Sequence, residues 1–511
     1  MQLEHPSNIQ RFFEGSTVFI TGATGFLGRL ILEKLLRTCT GIKTIYILVR
    51  EKKGKSPKER YEELFHPILF GEVKKEHPNF LDNVILMEGD CALPNLGLSE
   101  QSRQTLLNEV NCVFHCAANL RFKEKIRTAA YINVRATKDI LMLSKNMENL
   151  KSFVYISTAY STCSKQEIGE EFYEPTITGD KLLTLVGALN DDILERITPV
   201  LVGKWLNPYL FTKSVAEEVV KTYGKGLPLN IVRPSLINST VTEPLAGWID
   251  NLYGVAGMTI ASGLGVIRVG PIDSSKLVDI VPADYVTNCA IAAAWNSGYK
   301  TTDVILDDTN RFKKRSNPAN IDIYNVVSCT QNPITWGELL TYVRKHGRQM
   351  PSTSSIWYPF AFMCSSYPLY RVLVFFLHTI PAYIVDFLAY CIGKQPMLVK
   401  IYKKIDTVVD TVGDSLLVTW NFSDKNTQGL WKNLNETDKH LFNFDINSVA
   451  WDDYCYYYAK GVRLYLLNES EDTIPSARKR QLMFQILHYA LVGVLLFGLF
   501  RLLTLFSRIL F

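Results

Sequence analysis

Thr17-Val18-Phe19-Ile20-Thr21-Gly22-Ala23-Thr24-Gly25-Phe26-Leu27-Gly28 is a β-branched and aromatic run that breaks at regularly spaced glycines and restarts at helical spacing. Apolar residues recur from Phe26 to Leu36 with a helical period, and Ile42 to Val49 forms a second apolar run. The segment up to Arg50 therefore reads as a β-α-β unit. Each glycine removes a Cβ for its own reason: Gly22 permits a tight turn, Gly25 lets backbone approach a pyrophosphate, and Gly28 lets helix pack on strand. Backbone N–H groups at the helix start, with the positive end of its dipole, then face phosphates. Thr21, Gly22, Thr24, Gly25, Phe26, Leu27 and Gly28 are thus candidate nucleotide contacts. A purely structural turn also favours glycine; the strand before, the helix after and the second strand favour the nucleotide cradle.

The residue ending the second strand selects the nucleotide. An acidic side chain there hydrogen-bonds a ribose 2′-hydroxyl, whereas the guanidinium of Leu48-Val49-Arg50 suits a 2′-phosphate, so NADPH is expected. Lys52 and Lys53 add to the positive field or simply decorate a solvated turn.

With 511 residues, the chain exceeds one core of typical size, so two domains and a further element are expected. A net charge of +5 argues for an acidic ligand or an anionic membrane surface and does not call for nucleic acid. The ten cysteines are scattered without zinc spacing, so neither a metal nor disulfides are expected. Met1 to Arg11 is polar and lacks an apolar signal core, which points to a cytosolic main body.

Downstream, apolar runs alternate with helical stretches, which predicts an α/β fold with a Rossmann-type doubly wound parallel sheet. Val84–Met87 is the third strand, and Asp90 just after it is a candidate adenine contact; a solvated carboxylate is the alternative. Cys112–Ala118 holds the fourth strand and its end, where the small Ala117 and Ala118 leave room for a dinucleotide. His115 within it reads as a satisfied core residue rather than a catalyst, and Asn133 as a polar anchor. Phe153–Ile156 is the fifth strand, running into Ser157 and Thr158, whose hydroxyls lie where ligands bind in such sheets. The sixth, Asn230 to Ser235, brings Arg233, Pro234 and Ser235 towards the nicotinamide. Glu243 to Gly270 reads as an irregular cover, and runs at Val278–Asp284 and Tyr324–Ser328 as further strands.

Tyr209 and Lys213 are four apart in a helical run and share a face. An ammonium about 5 Å from a phenol, at an effective dielectric of about 20, favours the phenolate by roughly 3 kcal/mol, about two pKa units. Tyr209 is therefore the candidate proton donor to a carbonyl oxygen, with Lys213 as its partner.

Taken together, Thr-Gly-x-x-Gly-x-x-Gly and Tyr-x-x-x-Lys resemble the extended short-chain dehydrogenase/reductase superfamily. More closely the chain resembles the alcohol-forming fatty acyl-CoA reductases, through Thr21–Gly28, Leu48–Arg50, Phe114–Ala118, Ile156–Tyr160, Tyr209–Lys213, Val232–Ser235, Gly247–Asn251, Asp279–Pro282, Pro381–Tyr383 with Asp386, Trp451, Tyr454 and Gly461–Tyr465. The resemblance implies reduction of a long-chain acyl-CoA to a fatty alcohol by two NADPH, with Tyr209 as proton donor, Lys213 as its partner and a ribose contact, and Thr158, then Ser157, on the carbonyl oxygen. A thiohemiacetal expels CoA and the retained aldehyde is reduced in turn; the product class is a wax or ether-lipid precursor. The segment Glu167–Pro199 is a long insertion for this superfamily.

Ile356 to Ile392 is almost continuously apolar but interrupted by Arg371, His378, Pro381 and Asp386, which argues against a clean span. It reads as a greasy helical domain lining an acyl tunnel or resting on a membrane, or as a plain helical core. Arg478-Lys479-Arg480 precedes Leu482–Phe500, whose roughly nineteen residues reach about 28 Å and span marginally. Positive-inside bias keeps the enzyme cytosolic behind a carboxyl-terminal anchor in a peroxisomal or endoplasmic reticulum membrane. A hairpin or interfacial helix is the alternative. The expected division is 1–350, a nucleotide-binding reductase domain, 351–475, a helical domain, and 476–511, a basic linker and anchor. Expected partners are a long-chain acyl-CoA and membrane lipid; self-association stays open. A sterol- or nucleotide-sugar-type reductase would share the cradle, Tyr209 and Lys213 but not a second domain, and a non-catalytic scaffold would be expected to lose one of these residues.

Overall fold

A computed structural model describes residues 6–510 apart from 67, 303, 307–311, 315–320 and 414–416. The first five residues of the polar amino-terminal stretch lie outside the described residues. Seven strands form one sheet: β1 (Thr17–Thr21), β2 (Thr44–Val49), β3 (Val84–Glu88), β4 (Cys112–His115), β5 (Ser152–Ile156), β6 (Leu229–Pro234) and β7 (Asp322–Val326). All neighbours are parallel and the order is β7-β6-β5-β4-β1-β2-β3. The expected doubly wound sheet is present, with the last strand found where the sequence pattern put it. Strands β1, β4, β5 and β6 are buried on both faces, so they read as continuous apolar runs rather than alternating ones. Phe19, Val113, Phe153 and Ile231 belong to one core with residues from the flanking helices.

The order reverses between β1 and β4, which opens a crevice at their carboxyl ends. Helices that shape this edge are α1 (Phe26–Thr38), α2 (Pro57–Leu64), α3 (Pro208–Tyr223) and α4 (Ala283–Thr302). The run expected as a strand over Val278–Asp284 is a strand only at Ile280–Pro282; Asp284 lies in α4, where its carboxylate accepts N–H groups of Val241, Thr242 and Glu243. The insertion carries helices Gly179–Ala188 and Asp191–Val202. The stretch expected to be irregular from Glu243 to Gly270 contains the helix Val255–Gly263.

The chain divides into two compact units. The first comprises Met1–Ala246, Leu277–Ile334 and Thr419–Val449, and the second comprises Gly247–Lys276, Thr335–Val418 and Ala450–Phe511. In the second unit, α5 (Trp336–Gln349) is followed by α6 (Tyr367–Cys391), α7 (Leu398–Val412), α8 (Trp451–Gly461) and α9 (Ile474–Leu510). Here Gly247 and Gly461 meet backbone to backbone, and a Cβ on either would overlap a carbonyl group. Arg463 is buried and pairs with Glu469 at 2.9 Å. The hydroxyls of Ser352 and Thr353 also donate to Glu469, at 2.7 and 2.8 Å.

Candidate active site

The cradle is built from β1, the turn and α1. Gly22 has a φ of +78°, and a Cβ there would lie 2.7 Å from the Ala117 nitrogen, so the turn and the end of β4 can touch only through glycine. A Cβ on Gly28 would overlap the Gly22 carbonyl oxygen, so this glycine sets how closely α1 sits on the turn. Gly25 is the N-cap of α1 and supplies no side-chain cap. Thr21, Ala117 and Ala118 line the same edge: the Cys116 N–H donates to the Thr21 carbonyl at 3.1 Å, and Ala117 and Ala118 are half-buried.

At the end of β2, Arg50 is 44% exposed and its Nη1 lies 3.5 Å from Asp90 Oδ2, while Asp90 Oδ1 accepts the Ala92 N–H at 2.8 Å. A residue that spacing did not single out joins them. Arg60, in the first turns of α2, donates to the Arg50 carbonyl at 2.6 Å and to Thr24 Oγ1 at 3.0 Å. Burial, then the charges of Arg60 and Arg50, depress the Lys52 ammonium; burial and Arg50 depress Arg60. Cations that suppress one another in this way form a place where an anion relieves strain.

At the end of β5 the two hydroxyls part. Alternation turns Ser157 and Thr158 to opposite sides. Ser157 Oγ donates to Glu217 Oε1 at 2.5 Å, beneath the sheet edge. Thr158 Oγ1 lies 3.4 Å from the Pro234 carbonyl oxygen and accepts the Tyr160 N–H at 3.3 Å, and its hydroxyl is near enough to the Tyr209 phenol to act on it downward. Tyr209 stands in the first turn of α3 because Asn207 caps that helix, its Oδ1 accepting the Leu210 N–H at 3.0 Å, and Pro208 opens it. Burial raises the Tyr209 phenol well above its ordinary range, with only Thr158 acting downward.

Lys213, one turn on, does not bring the resting Tyr209 phenol down as expected, because it has already lost its proton at the pH where that raised phenol titrates. Its charge can favour a phenolate only below about pH 8. Its ammonium donates to the Ile156 carbonyl at 2.7 Å and to the Tyr155 hydroxyl at 3.2 Å, and lies 4.6 Å from the Tyr155 ring centroid. Burial lowers Lys213 to about 8, against the field of Glu217 acting upward. One further turn along, Glu217 pairs with Arg233 through Nη2–Oε2 at 2.5 Å and Nε–Oε1 at 2.9 Å, both side chains being buried. The remaining guanidinium N–H groups donate to the carbonyls of Gly169 and Glu171 at 3.1 and 2.9 Å. Arg233 thus points into the protein rather than towards the crevice, and it ties the start of the 167–199 insertion to the sheet. Pro234 remains at the strand end beside Thr158.

His115 is enclosed: Nδ1 is 2.7 Å from Thr21 Oγ1 and Nε2 is 3.2 Å from Thr137 Oγ1. Burial and the Lys213 charge push it down to about 3, so it is neutral at physiological pH and serves as a strut. Asn133 donates to Thr212 Oγ1 at 2.9 Å and accepts the Asn119 N–H at 2.8 Å, anchoring α3 to the segment after β4. Among the described residues no group of three or more His, Cys, Asp or Glu is arranged to hold a metal. The site therefore offers a hydroxyl pair, a buried ammonium and a glycine-rich nucleotide edge. Spacing could have found Glu217, which continues the Tyr209 and Lys213 face by four residues; nothing in the sequence distinguishes Arg60 from other charges on a surface helix.

An NAD-binding family model described as male sterility protein matches residues 20–290, and a second model of that description, named Sterile, matches 377–469. "Fatty acyl-CoA reductase wat" of Drosophila melanogaster is 36% identical over 96% of this chain and 91% of its own length. "Fatty acyl-CoA reductase 1" of Homo sapiens is 34% identical over 97% of this chain and 93% of its own. Among solved structures, the terminal reductase domain of the myxalamid biosynthetic pathway superposes with a TM-score of 0.57 at 19% identity, covering 88% of this chain and 91% of that one. A reductase domain of a nonribosomal peptide synthetase from Mycobacterium tuberculosis gives 0.56 at 17%, covering 91% and 94%. These two share the fold. The resemblance drawn from the motifs is thus shown over nearly the whole length: the chain belongs to the fatty acyl-CoA reductase family, and is an acyl-CoA reductase with a nicotinamide cofactor.

Proposed function

We propose that this enzyme reduces long-chain fatty acyl-CoA to fatty alcohol with NADPH, retaining the aldehyde between two reductions and releasing CoA. The observation that carries the reading is the gathering of Thr158, at the end of β5 beside Pro234, and Tyr209, one turn before Lys213 on α3, at the carboxyl edge of the sheet. Thr158 and Tyr209 hold the acyl carbonyl oxygen. As that oxygen becomes an alkoxide, Tyr209 gives it a proton, which a phenol of raised pKa can do because it stays protonated until negative charge develops beside it. Lys213 holds the Ile156 carbonyl and Tyr155, fixing the end of β5, and its charge favours the transient phenolate.

The first reduction turns the thioester carbon into a thiohemiacetal; its C–S bond breaks, the thiol departs and an aldehyde remains. The same hydroxyl pair serves the second reduction, which yields the alcohol. NADPH supplies the hydride in each. Thr21–Gly28, Ala117, Ala118 and Pro234 would hold the dinucleotide, Asp90 the adenine, and Arg50 with Arg60 the 2′-phosphate. The close approach at Gly22 and the crowded cations after β2 support that fit. The 37 residues of α9 extend about 55 Å, enough for a carboxyl-terminal anchor, and Arg478–Arg480 favour a cytosolic reductase. Such an anchor suits a substrate and product that partition into lipid.

The test is detergent-solubilised enzyme with palmitoyl-CoA and NADPH, following nicotinamide absorbance, free CoA and hexadecanol. Two NADPH consumed per CoA released, with alcohol formed, is the expected result. No NADPH consumption across a series of acyl chain lengths overturns the reading, and hexadecanal as the end product overturns the alcohol-forming part of it.

A further inference from the structure

The apolar helix α6 of the second unit carries two faces of different character. One stripe, Tyr370, Val374, His378 and Ala382, is buried within its own unit. Tyr370 and Val374 pack with Val269, and Ala382 with Leu398 and Tyr402. His378 Nε2 accepts the Arg268 N–H at 2.9 Å and its ring stacks on Tyr402 at 4.7 Å. Near its end, Asp386 accepts the N–H groups of Met397, Leu398 and Val399 at 3.0, 2.9 and 2.9 Å, which fastens α6 to the start of α7. Two of the interruptions that broke the apolar run, His378 and Asp386, are thus residues that hold the helix down.

The rest of α6 is large, apolar and uncovered: Val372, Phe376, Tyr383, Ile384, Phe387 and Leu388 are each more than half exposed. A surface of this kind marks an interaction site. It is bounded by exposed cations, Arg371 on the helix itself and Lys394, Lys400, Lys403 and Lys404 beyond its end, while the stretch 387–404 contains no acidic residue. A second copy seated on this face would bring lysines against lysines. An anionic bilayer meets both the apolar face and its cationic border.

We propose that α6 lies in the plane of an anionic membrane surface, its outer face sunk to the level of the headgroups and first acyl carbons, as a second membrane contact besides α9. A spanning orientation would require the stripe from Tyr370 to Ala382 and the Asp386 cap to leave the unit along the whole helix. An in-plane helix keeps every one of those bonds. The consequence is that the unit is held to the bilayer along a line rather than swinging on one anchor. The inference rests on the membrane association proposed above, and its test separates the two.

Cys391, at the end of α6, is exposed, whereas the other nine cysteines are buried or half-buried. Full-length enzyme reconstituted into phosphatidylcholine vesicles containing phosphatidylserine would be labelled there with an environment-sensitive fluorophore, with Cys391→Ser as the labelling control. A second label at mid-helix uses Ile384→Cys in the Cys391→Ser background; both positions are exposed, so folding is little affected. The expected result is a blue shift at both positions and stronger quenching by lipids spin-labelled near the headgroup than by lipids labelled deep in the chain, with little quenching by iodide. Deep quenching at residue 384 alone means a spanning helix and overturns the proposal. Full quenching by iodide at both positions, in enzyme that still floats with the vesicles, overturns it while sparing the anchor. Protection from iodide and lipid alike, with cross-linked dimers, assigns the face to a second copy and overturns it. Failure to float overturns both readings.

Discussion

The two units break the usual partition of residues in opposite ways. Around the sheet edge, charge is inside: Lys213, Glu217 and Arg233 are each at least 97% buried. In α6 and α9, grease is outside: Phe387 is 65% exposed and Phe497 equally so. Exposed single apolar residues and buried apolar ones carry little information, whereas a buried charge or a large apolar patch needs a partner. In the first unit the partner of Arg233 is another side chain, and Lys213 has only a carbonyl and a phenol. In α6 and α9, no side chain among the described residues covers the outer faces. The difference teaches that the same rule, read from both sides, separates a site meant for a ligand from a surface meant for lipid.

Removing the hydroxyl of the pair should break the first half of that comparison most severely. Tyr209→Phe is expected to lower kcat by about a thousandfold, the usual scale for a general acid being about 10²–10⁴. Nucleotide binding, read by fluorescence of the bound dihydronicotinamide, should be retained; a loss below tenfold would place the proton donor elsewhere. The next largest effect is on stability. Arg233→Met leaves the Glu217 carboxylate buried without its cation and should cost about 3–5 kcal/mol in chemical denaturation. The double variant E217L/R233M should recover much of that loss, since a buried pair replaced together by apolar groups is often neutral. The pair is then structural, in contrast to the unpaired Lys213.

Arg60 sharpens the comparison at the other end of the cradle. Its guanidinium touches Thr24 and the Arg50 backbone, with no carboxylate within ion-pair distance among the described residues. Arg60→Ala should raise KM for NADPH by about 10- to 100-fold, the loss of one charge-assisted contact of about 1.5–3 kcal/mol, and leave KM for NADH nearly unchanged. Equal effects on both nucleotides would make Arg60 a strut for the turn.

Much of this was legible in the sequence because strands buried on both faces have to be continuous apolar runs and the cradle has to spell glycine where backbone meets backbone. That Tyr209 and Lys213 stand one turn apart on a single helix followed from helical spacing alone. What spacing could not report was which way a side chain faces at a strand end. Arg233 reads as a crevice residue until β6 is placed in register beside β5 and β7; then its alternation turns it onto Glu217. Ser157 and Thr158 are equivalent in sequence and are separated by one residue of pleat. Lys213 sits four residues from Tyr209 as expected, but the carbonyl that takes its ammonium lies on β5, fifty-seven residues away. The inward stripe of α6 was hidden for the same reason, because its polar residues looked like interruptions until Arg268 and the start of α7 were beside them.

The smallest effect expected is a shift in pH dependence, and it tests whether Lys213 works by its charge. Burial brings this ammonium down to about 8 from an ordinary value of 10.5. Between those two values the unfolded chain carries the proton and the folded chain does not, so for this group stability rises with pH across the window. Activity moves the other way, because the field that favours a phenolate on Tyr209 disappears as Lys213 loses its proton. kcat/KM, which reports groups of the free enzyme, should therefore fall above about pH 8 while the melting temperature at the same pH values does not fall with it. Glu217→Gln keeps an oxygen acceptor for Arg233 but removes the charge that raises Lys213, so the descending limb should move to lower pH. An unmoved limb, or one that follows the melting temperature, would show that Lys213 acts only as a strut between Ile156 and Tyr155. Its lack of a carboxylate would then carry no chemical meaning.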